Sequence, residues 1–205
     1  MDIFESCPEI ESNRFKLRFV SAEDCADLLK VYSDKEAVKL FNSDNCDGDD
    51  FYYTTPERMK QAFDFWIFSY KEGYFVRFSI IDKKTSEIIG TFEIFKRIAD
   101  DYFTNCGLLR LDLASAYEKR DIIDEILSLI TEPIFGWFDC EMIATKAIPE
   151  AKERILALKK HGFALSEEKL IGTHDHKEYD NYYVLKKMGD RKNENISNEP
   201  SPEGK

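Results

Sequence analysis

Phe15, Leu17 and Phe19 alternate with Lys16 and Arg18, a period of two that predicts a half-buried strand. Ser21 then stands where a helix N-cap belongs, with Asp24 three residues on. Leu28, Leu29 and Tyr32 supply an apolar face for a helix ending near Tyr32. Residues 33–50 are polar and turn-rich, with a short helix predicted from Lys35 to Phe41. Thr55 and Pro56 mark the next helix start, and Met59, Ala62, Phe63, Trp66, Ile67 and Tyr70 recur at helical spacing until Gly73 stops them. From Tyr74 the period changes. Phe75–Ile81 and Ile88–Phe95 are aromatic and β-branched runs joined by the charged connection 82–87, which predicts two antiparallel strands. Asn105–Leu113 predicts a further strand, with Leu109, Leu111 and Leu113 on one face and Leu108, Arg110 and Asp112 on the other.

A helix is predicted to begin near Asp121, with Ile122, Ile123, Ile126, Leu127, Leu129 and Ile130 on its apolar positions. Pro133 is expected to kink it or to start a second segment through Phe138. Met142–Ile148 reads as a strand, Pro149–His161 as a helix closed by Gly162, and Phe163 and Tyr179–Leu185 as late strands. Residues 188–205 hold only two large apolar side chains, Met188 and Ile196, and are expected to form a disordered tail behind one domain spanning 1–187.

Composition narrows the functional classes. The 205 residues hold 40 acidic and 29 basic side chains, a net charge of −11, which argues against binding nucleic acid by neutralising phosphates. No run approaches the ~18 apolar residues of a membrane span. The amino terminus, with Asp2, Glu5, Glu9 and Glu11, has no signal-peptide pattern. Five cysteines are scattered without metal-ligand spacing, so free thiols in a reducing cytoplasm are expected. Setting Gly48 at the sixth position of a calcium loop puts Ser43 first and Thr54 twelfth, which excludes an EF-hand among Asp44, Asp47, Asp49 and Asp50. No metal site is expected at His174 and His176, which read as surface residues of a late hairpin connection.

Four local patterns, in order along the chain, carry a resemblance. They are Arg14-Phe-Lys-Leu-Arg18 followed by Ala22-Glu-Asp; Ile88-Ile-Gly-Thr91 entering a strand; Leu111-Asp-Leu-Ala-Ser-Ala-Tyr117 before a helix; and Leu156–Lys160 ending in His161-Gly162-Phe163. With the element order, they resemble the GNAT superfamily of acetyl-CoA-dependent N-acyltransferases, nearest the branch that acetylates ribosomal-protein N-termini. The resemblance implies an α/β fold: a mixed, mainly antiparallel sheet of six or seven strands flanked by helices. It implies acetyl-CoA as co-substrate and a small-molecule or peptide amine as acceptor, attacking the thioester directly. It places the cofactor's amide arm on the backbone of Leu111 and Leu113, where that strand splays from Met142–Ile148. The pyrophosphate falls on the turn of Lys119, Arg120, Asp121, Ile122 and Ile123 at a helix N-terminus, where amides and dipole favour an anion.

At three positions of that turn the residues depart from the superfamily pattern. Glu118 stands for Gln or Arg, Asp121 for Gly, and Ile123 for Gly or Ala, adding a carboxylate and a branched side chain where small residues let phosphate approach. In the next helix, Ala151 and Arg154 replace the usual Asn and Ser, and Leu158 replaces a tyrosine that serves some members as general acid. The alternative from a different class is a non-catalytic GNAT-like binding module. For the acyltransferase, Glu93 and Asp112 are the carboxylates best placed to assist deprotonation, against the plainer expectation of solvated carboxylates on a strand face. For Lys119 and Arg120 the plainer expectation is surface pairing with Glu118 and Asp121. The acidic loop before Phe51 could attract a cationic amine or a basic peptide, or be a solvated loop. The aromatic run Phe63, Phe65, Trp66, Phe68 and Tyr70 covers more than one helical face, which suits a second core layer, an apolar acceptor pocket or a homodimer contact.

Overall fold

Residues 2–187 are described by a computed structural model, and the tail expected at 188–205 lies outside the described residues. Strand β1 (Ile10–Glu11) precedes β2 (Phe15–Phe19), the strand announced by the first alternation. Ser21 and Asp24 form a reciprocal capping box, but it closes a short 3-10 turn, Ala22–Asp24, that leads into α1 (Cys25–Tyr32). Arg18 donates two hydrogen bonds to the buried Asp24 carboxylate, at 2.8 and 2.6 Å, and Ser79 adds a third. The first sequence pattern is therefore a structural lock between strand and turn.

Helix α2 (Lys35–Val38) is shorter than the predicted 35–41. Helix α3 (Pro56–Lys71) is capped by Thr55, whose hydroxyl accepts from the Arg58 amide. Strands β3 (Val76–Asp82), β4 (Ile88–Arg97) and β5 (Cys106–Leu113) form the antiparallel centre. Helix α4 (Arg120–Phe138) runs through Pro133 as one element, with no second segment. Strand β6 (Met142–Lys146), helix α5 (Lys152–Lys160) and strands β7 (Ala164–Leu165), β8 (Leu170–Ile171), β9 (Glu178–Tyr179) and β10 (Tyr182–Lys186) complete the described chain.

The sheet order is β1-β2-β3-β4-β5-β6-β10-β7, with β8 and β9 as a separate pair. It has eight strands because β1 and β7, two residues each, extend its edges. Every pairing in it is antiparallel except β5 with β6. Val76, Phe78, Phe92, Ile94, Leu109, Leu111 and Leu113 turn one sheet face toward the buried isoleucines of α4 and toward α5, making the main core. On the opposite face Leu28, Val31, Tyr32, Met59 and Trp66 from α1 and α3 form a second core. Helices thus cover both faces of the sheet.

Candidate active site

Beneath α1 and α3 the sheet is polar. Register places Arg77, Glu93 and Arg110 in one row across β3, β4 and β5, and Ser79, Thr91 and Asp112 in the next. Glu93 is 2% exposed and gives one oxygen to each neighbour, Oε2 to Arg77 at 2.5 Å and Oε1 to Arg110 at 2.6 Å. Burial works to raise its pKa, but the two guanidiniums outweigh it and hold the carboxyl below its ordinary value. Asp112 is fully buried and accepts from Tyr32 Oη at 2.7 Å and Arg77 at 3.0 Å. Its second oxygen has no partner among the described residues. Burial therefore wins and its pKa is raised. Arg77 lies 4.3 Å over the Trp66 ring, which closes the row from above.

A cavity of about 730 Å³ opens over the Arg77–Glu93–Arg110 row. Its walls come from Phe51 and Tyr53 just after the acidic loop, Phe65 and Trp66 of α3, Phe75 just before β3, and Phe95 of β4. Of the aromatic run, Trp66 is core, and Phe65, 57% exposed, lines the cavity. Asp47, Asp49 and His174 stand at the rim. Asp49 is bound by Arg58 at 2.6 Å, whereas Asp47 lies 3.6 Å from Nδ1 of His174. The His174 amide is tied to the Asn45 side chain at 2.9 Å, which brings the late hairpin connection against the acidic loop. Sequence spacing gave no sign of this, because 129 positions separate the partners.

Behind this floor β5 and β6 pair only from Cys106↔Met142 to Leu109↔Thr145 and then part. The Ala114 amide bonds Ile89, so alternation along β5 turns the Leu113 and Leu111 amides to the side from which β6 has departed. The segment after α2 crosses this gap. Asp44 takes Lys146 Nζ at 2.7 Å through its carboxylate and Arg110 at 2.9 Å through its carbonyl.

At the far end of β5 lies the turn into α4. Lys119, at the N-cap position, makes no side-chain cap. The turn's amides instead meet carboxylates from elsewhere: Ser115 N–H donates to Asp34 at 2.9 Å and Arg120 N–H to Glu153 at 3.1 Å. Asp121 pairs with Arg14 at 3.0 Å, which lowers its pKa. Glu118 and Arg154 form a buried bidentate pair at 2.8 and 2.7 Å, and Arg154 also reaches the Leu40 carbonyl at 3.3 Å. The first turn of α5 is thereby fastened across the mouth of α4.

No family model matches the chain, and no curated protein matches it by sequence. Solved structures do. An acetyltransferase (GNAT family) from Bacillus anthracis aligns over 87% of this chain and 98% of its own with TM-score 0.64 and 13% identity. Ribosomal-protein-S5-alanine acetyltransferase from Vibrio fischeri aligns over 89% and 97%, with TM-score 0.60 and 18% identity. RimJ from Mycobacterium smegmatis, solved in complex with CoA-disulfide, aligns over 87% of each chain with TM-score 0.66 and 14% identity. The chain has the GNAT fold.

Within that GNAT fold the residues singled out in the sequence fall into three places. Glu93 and Asp112 lie in the polar rows of the sheet face, buried in ion pairs and hydrogen bonds rather than solvated. Leu111 and Leu113 lie on the β5 segment beyond the parting, with their side chains in the main core. Lys119, Arg120 and Asp121 lie exposed at the α4 mouth. The surface pairing expected there is corrected: Glu118 is held by Arg154 and Asp121 by Arg14. Ile122 and Ile123 are 1% and 0% exposed in the main core, so Ile123 does not crowd the mouth as its branched side chain suggested. Arg77, Glu153 and Asp34 were missed, and Arg154 was noted only as a departure from the pattern. Arg77 sits inside a run read as apolar, and the others act through partners distant in sequence.

Proposed function

We propose that the protein is an acetyl-CoA-dependent N-acetyltransferase that moves an acetyl group to a primary amine of a small molecule or peptide. One observation carries this reading: Arg110, in the cavity floor, is the first β5 residue beyond the last pair with β6. The aromatic cavity and the parted strands therefore meet at one residue, as transfer between an acceptor in one and a donor in the other requires. The GNAT fold, shared with a RimJ solved with CoA-disulfide, supports the same assignment.

The residues at the α4 mouth suit an acyl-CoA in kind. Amides of 115 and 120 already donate to carboxylates, anions of the kind a phosphate would replace. Lys119 and Arg120 would flank the pyrophosphate, and the Leu111 and Leu113 backbone would pair with the amide arm. Bound acetyl-CoA supplies a thioester carbonyl to the amine. The chain's own part is to hold, orient and deprotonate that amine. Its ammonium form is drawn by the acidic rim and guided by aromatic walls. Glu93, with both oxygens engaged, positions Arg77 and Arg110 rather than taking the proton. Asp112 lies under Tyr32, also without an open path. His174, with Asp47 beside it, is the rim group able to accept the proton.

The test is a thermal shift with acetyl-CoA followed by thiol release against a panel of amines and peptide N-termini. Acetyl-CoA at about 100 times its dissociation constant is expected to stabilise the fold by roughly 2.7 kcal/mol. The second reading is the non-catalytic GNAT-like module. The Glu118–Arg154 pair, with its reach to Leu40, lies beside the α4 turn where an acyl-CoA would have to enter. Absence of any shift with acyl-CoA, with a ligand still entering the aromatic cavity, would select that reading.

A further inference from the structure

The cavity over the Arg77–Glu93–Arg110 row has two ends of different chemistry. At the β5 end, Asp47 and His174 face each other across 3.6 Å, and Asn45 joins His174 to the Asp44 segment that reaches Arg110. At the β3 end stand Phe65, Tyr74 and Phe75, with the rings of Phe65 and Phe75 centred 5.9 Å apart. Strand spacing separates β3 from β5 by about 10 Å. Phe65 and Tyr74 are 57% and 60% exposed, so two large aromatic rings are left uncovered on a cavity wall. Apolar surface gathered in this way is surface that a ligand buries.

The chain's own cations already occupy the polar parts of the cavity. Of its three lining carboxylates, Glu93 is held by Arg77 and Arg110, and Asp49 by Arg58. Asp47 alone has no arginine or lysine against it among the described residues. The same three guanidiniums lie over aromatic rings, Arg77 over Trp66 at 4.3 Å, Arg58 over Tyr53 at 4.4 Å and Arg110 over Phe95 at 5.5 Å. Arg77 Nε and Arg110 Nε are buried without a partner among the described residues, and both are donors. One ammonium therefore has a carboxylate to meet. A second would face guanidiniums and find no free carboxylate beyond Asp47.

We propose that the acceptor is an aromatic primary amine bearing a single positive charge, with its ammonium at Asp47 and His174 and its ring against Phe65, Tyr74 and Phe75. The arginines of the floor exclude polyamines. The inference deepens the acetyltransferase reading above and rests on it. The amine end lies beside Arg110, where β5 leaves β6. Acetyl transfer there forms the amide nitrogen–carbon bond and breaks the thioester carbon–sulfur bond, with one ammonium proton passing to the departing thiolate and the other through His174 to solvent.

The experiment is calorimetric titration of phenethylamine and of spermidine into the full chain, with and without saturating CoA, alongside thiol release from acetyl-CoA with each amine. Phenethylamine is expected to bind at least about ten-fold tighter than spermidine, because only its body matches the aromatic end. Phe65→Ala and Tyr74→Ala, each checked as folded by thermal unfolding, are expected to weaken phenethylamine about five-fold and to leave spermidine as it is. Asp47→Asn is expected to weaken phenethylamine about two-fold at low salt and not at high salt. Spermidine binding as tightly as phenethylamine, no binding of phenethylamine to the folded wild type, or wild-type affinity in both aromatic variants would each overturn the proposal. Thiol release with spermidine alone would overturn it too and leave the acetyltransferase reading standing. Phenethylamine bound as expected, with no thermal shift by acetyl-CoA and no thiol release, would overturn the acetyltransferase reading and keep the cavity's ligand class.

Discussion

Glu93→Gln would leave Arg110 without its carboxylate partner and Arg77 with Asp112 alone. Removing one partner from a buried ionic group typically costs about 3–5 kcal/mol, because the remaining charge is left uncompensated. Urea unfolding of Glu93→Gln is expected to show a loss of that order at neutral pH. A loss below about 1 kcal/mol would mean that the row carries little stability. The pH dependence has a defined sign. The Glu93 pKa is lower folded than unfolded, so its contribution is present above the ordinary glutamate value and disappears as pH falls through the lower folded value. Asp112 runs the other way, since its raised pKa disfavours the folded state as pH rises toward that value. The acid limb of the wild-type stability curve should therefore flatten in Glu93→Gln. At this scale the sequence was half legible. Alternation placed Arg110 and Asp112 on one strand face, but the cover over that face comes from Tyr32 and Trp66, whose positions depend on how α1 and α3 dock.

Among the elements, β4 carries a glycine whose reason is steric. A Cβ on Gly90 would lie 2.1 Å from the Asp112 carbonyl and 2.9 Å from Leu113 Cα, so backbone rather than a flexible side chain would have to move. Gly90→Ala is expected to separate β4 from β5 near Leu113 and to destabilise by several times the about 0.5–1 kcal/mol range of ordinary glycine effects. A melting temperature near wild type would contradict that packing. The long helices were readable because their apolar periods extend over several turns, and Gly162, at φ +82°, ends α5 as its position after His161 implied. Pro133 was not, since a proline's missing N–H leaves a single ladder bond unmade, and packing of Ile130, Ile134 and Phe138 keeps α4 continuous. Strands of two residues at β1, β7, β8 and β9 carry too little pattern to be seen in a sequence.

At the scale of the whole molecule, the order of elements and four short patterns sufficed for the fold, because those patterns are structural: the Arg18–Asp24 lock, the close approach at Gly90, and the helix end at Gly162. The site was less legible, because its decisive contacts join the N-cap of α2 to the turn after β5, and α5 to the start of α4, pairs brought together only by the folded sheet. Sequence departures at 118 and 154, each unfavourable alone for an anion site, are complementary as a buried ion pair. The account holds that the α4 mouth and the free edge of β5 together accept an acyl-CoA tail. Amide hydrogen exchange across 111–123, with and without saturating acetyl-CoA, tests this most directly. Slowed exchange at Arg120, Asp121 and Ile122 and along the free edge of β5 is predicted, and an unchanged pattern there, with protection elsewhere or nowhere, would contradict it.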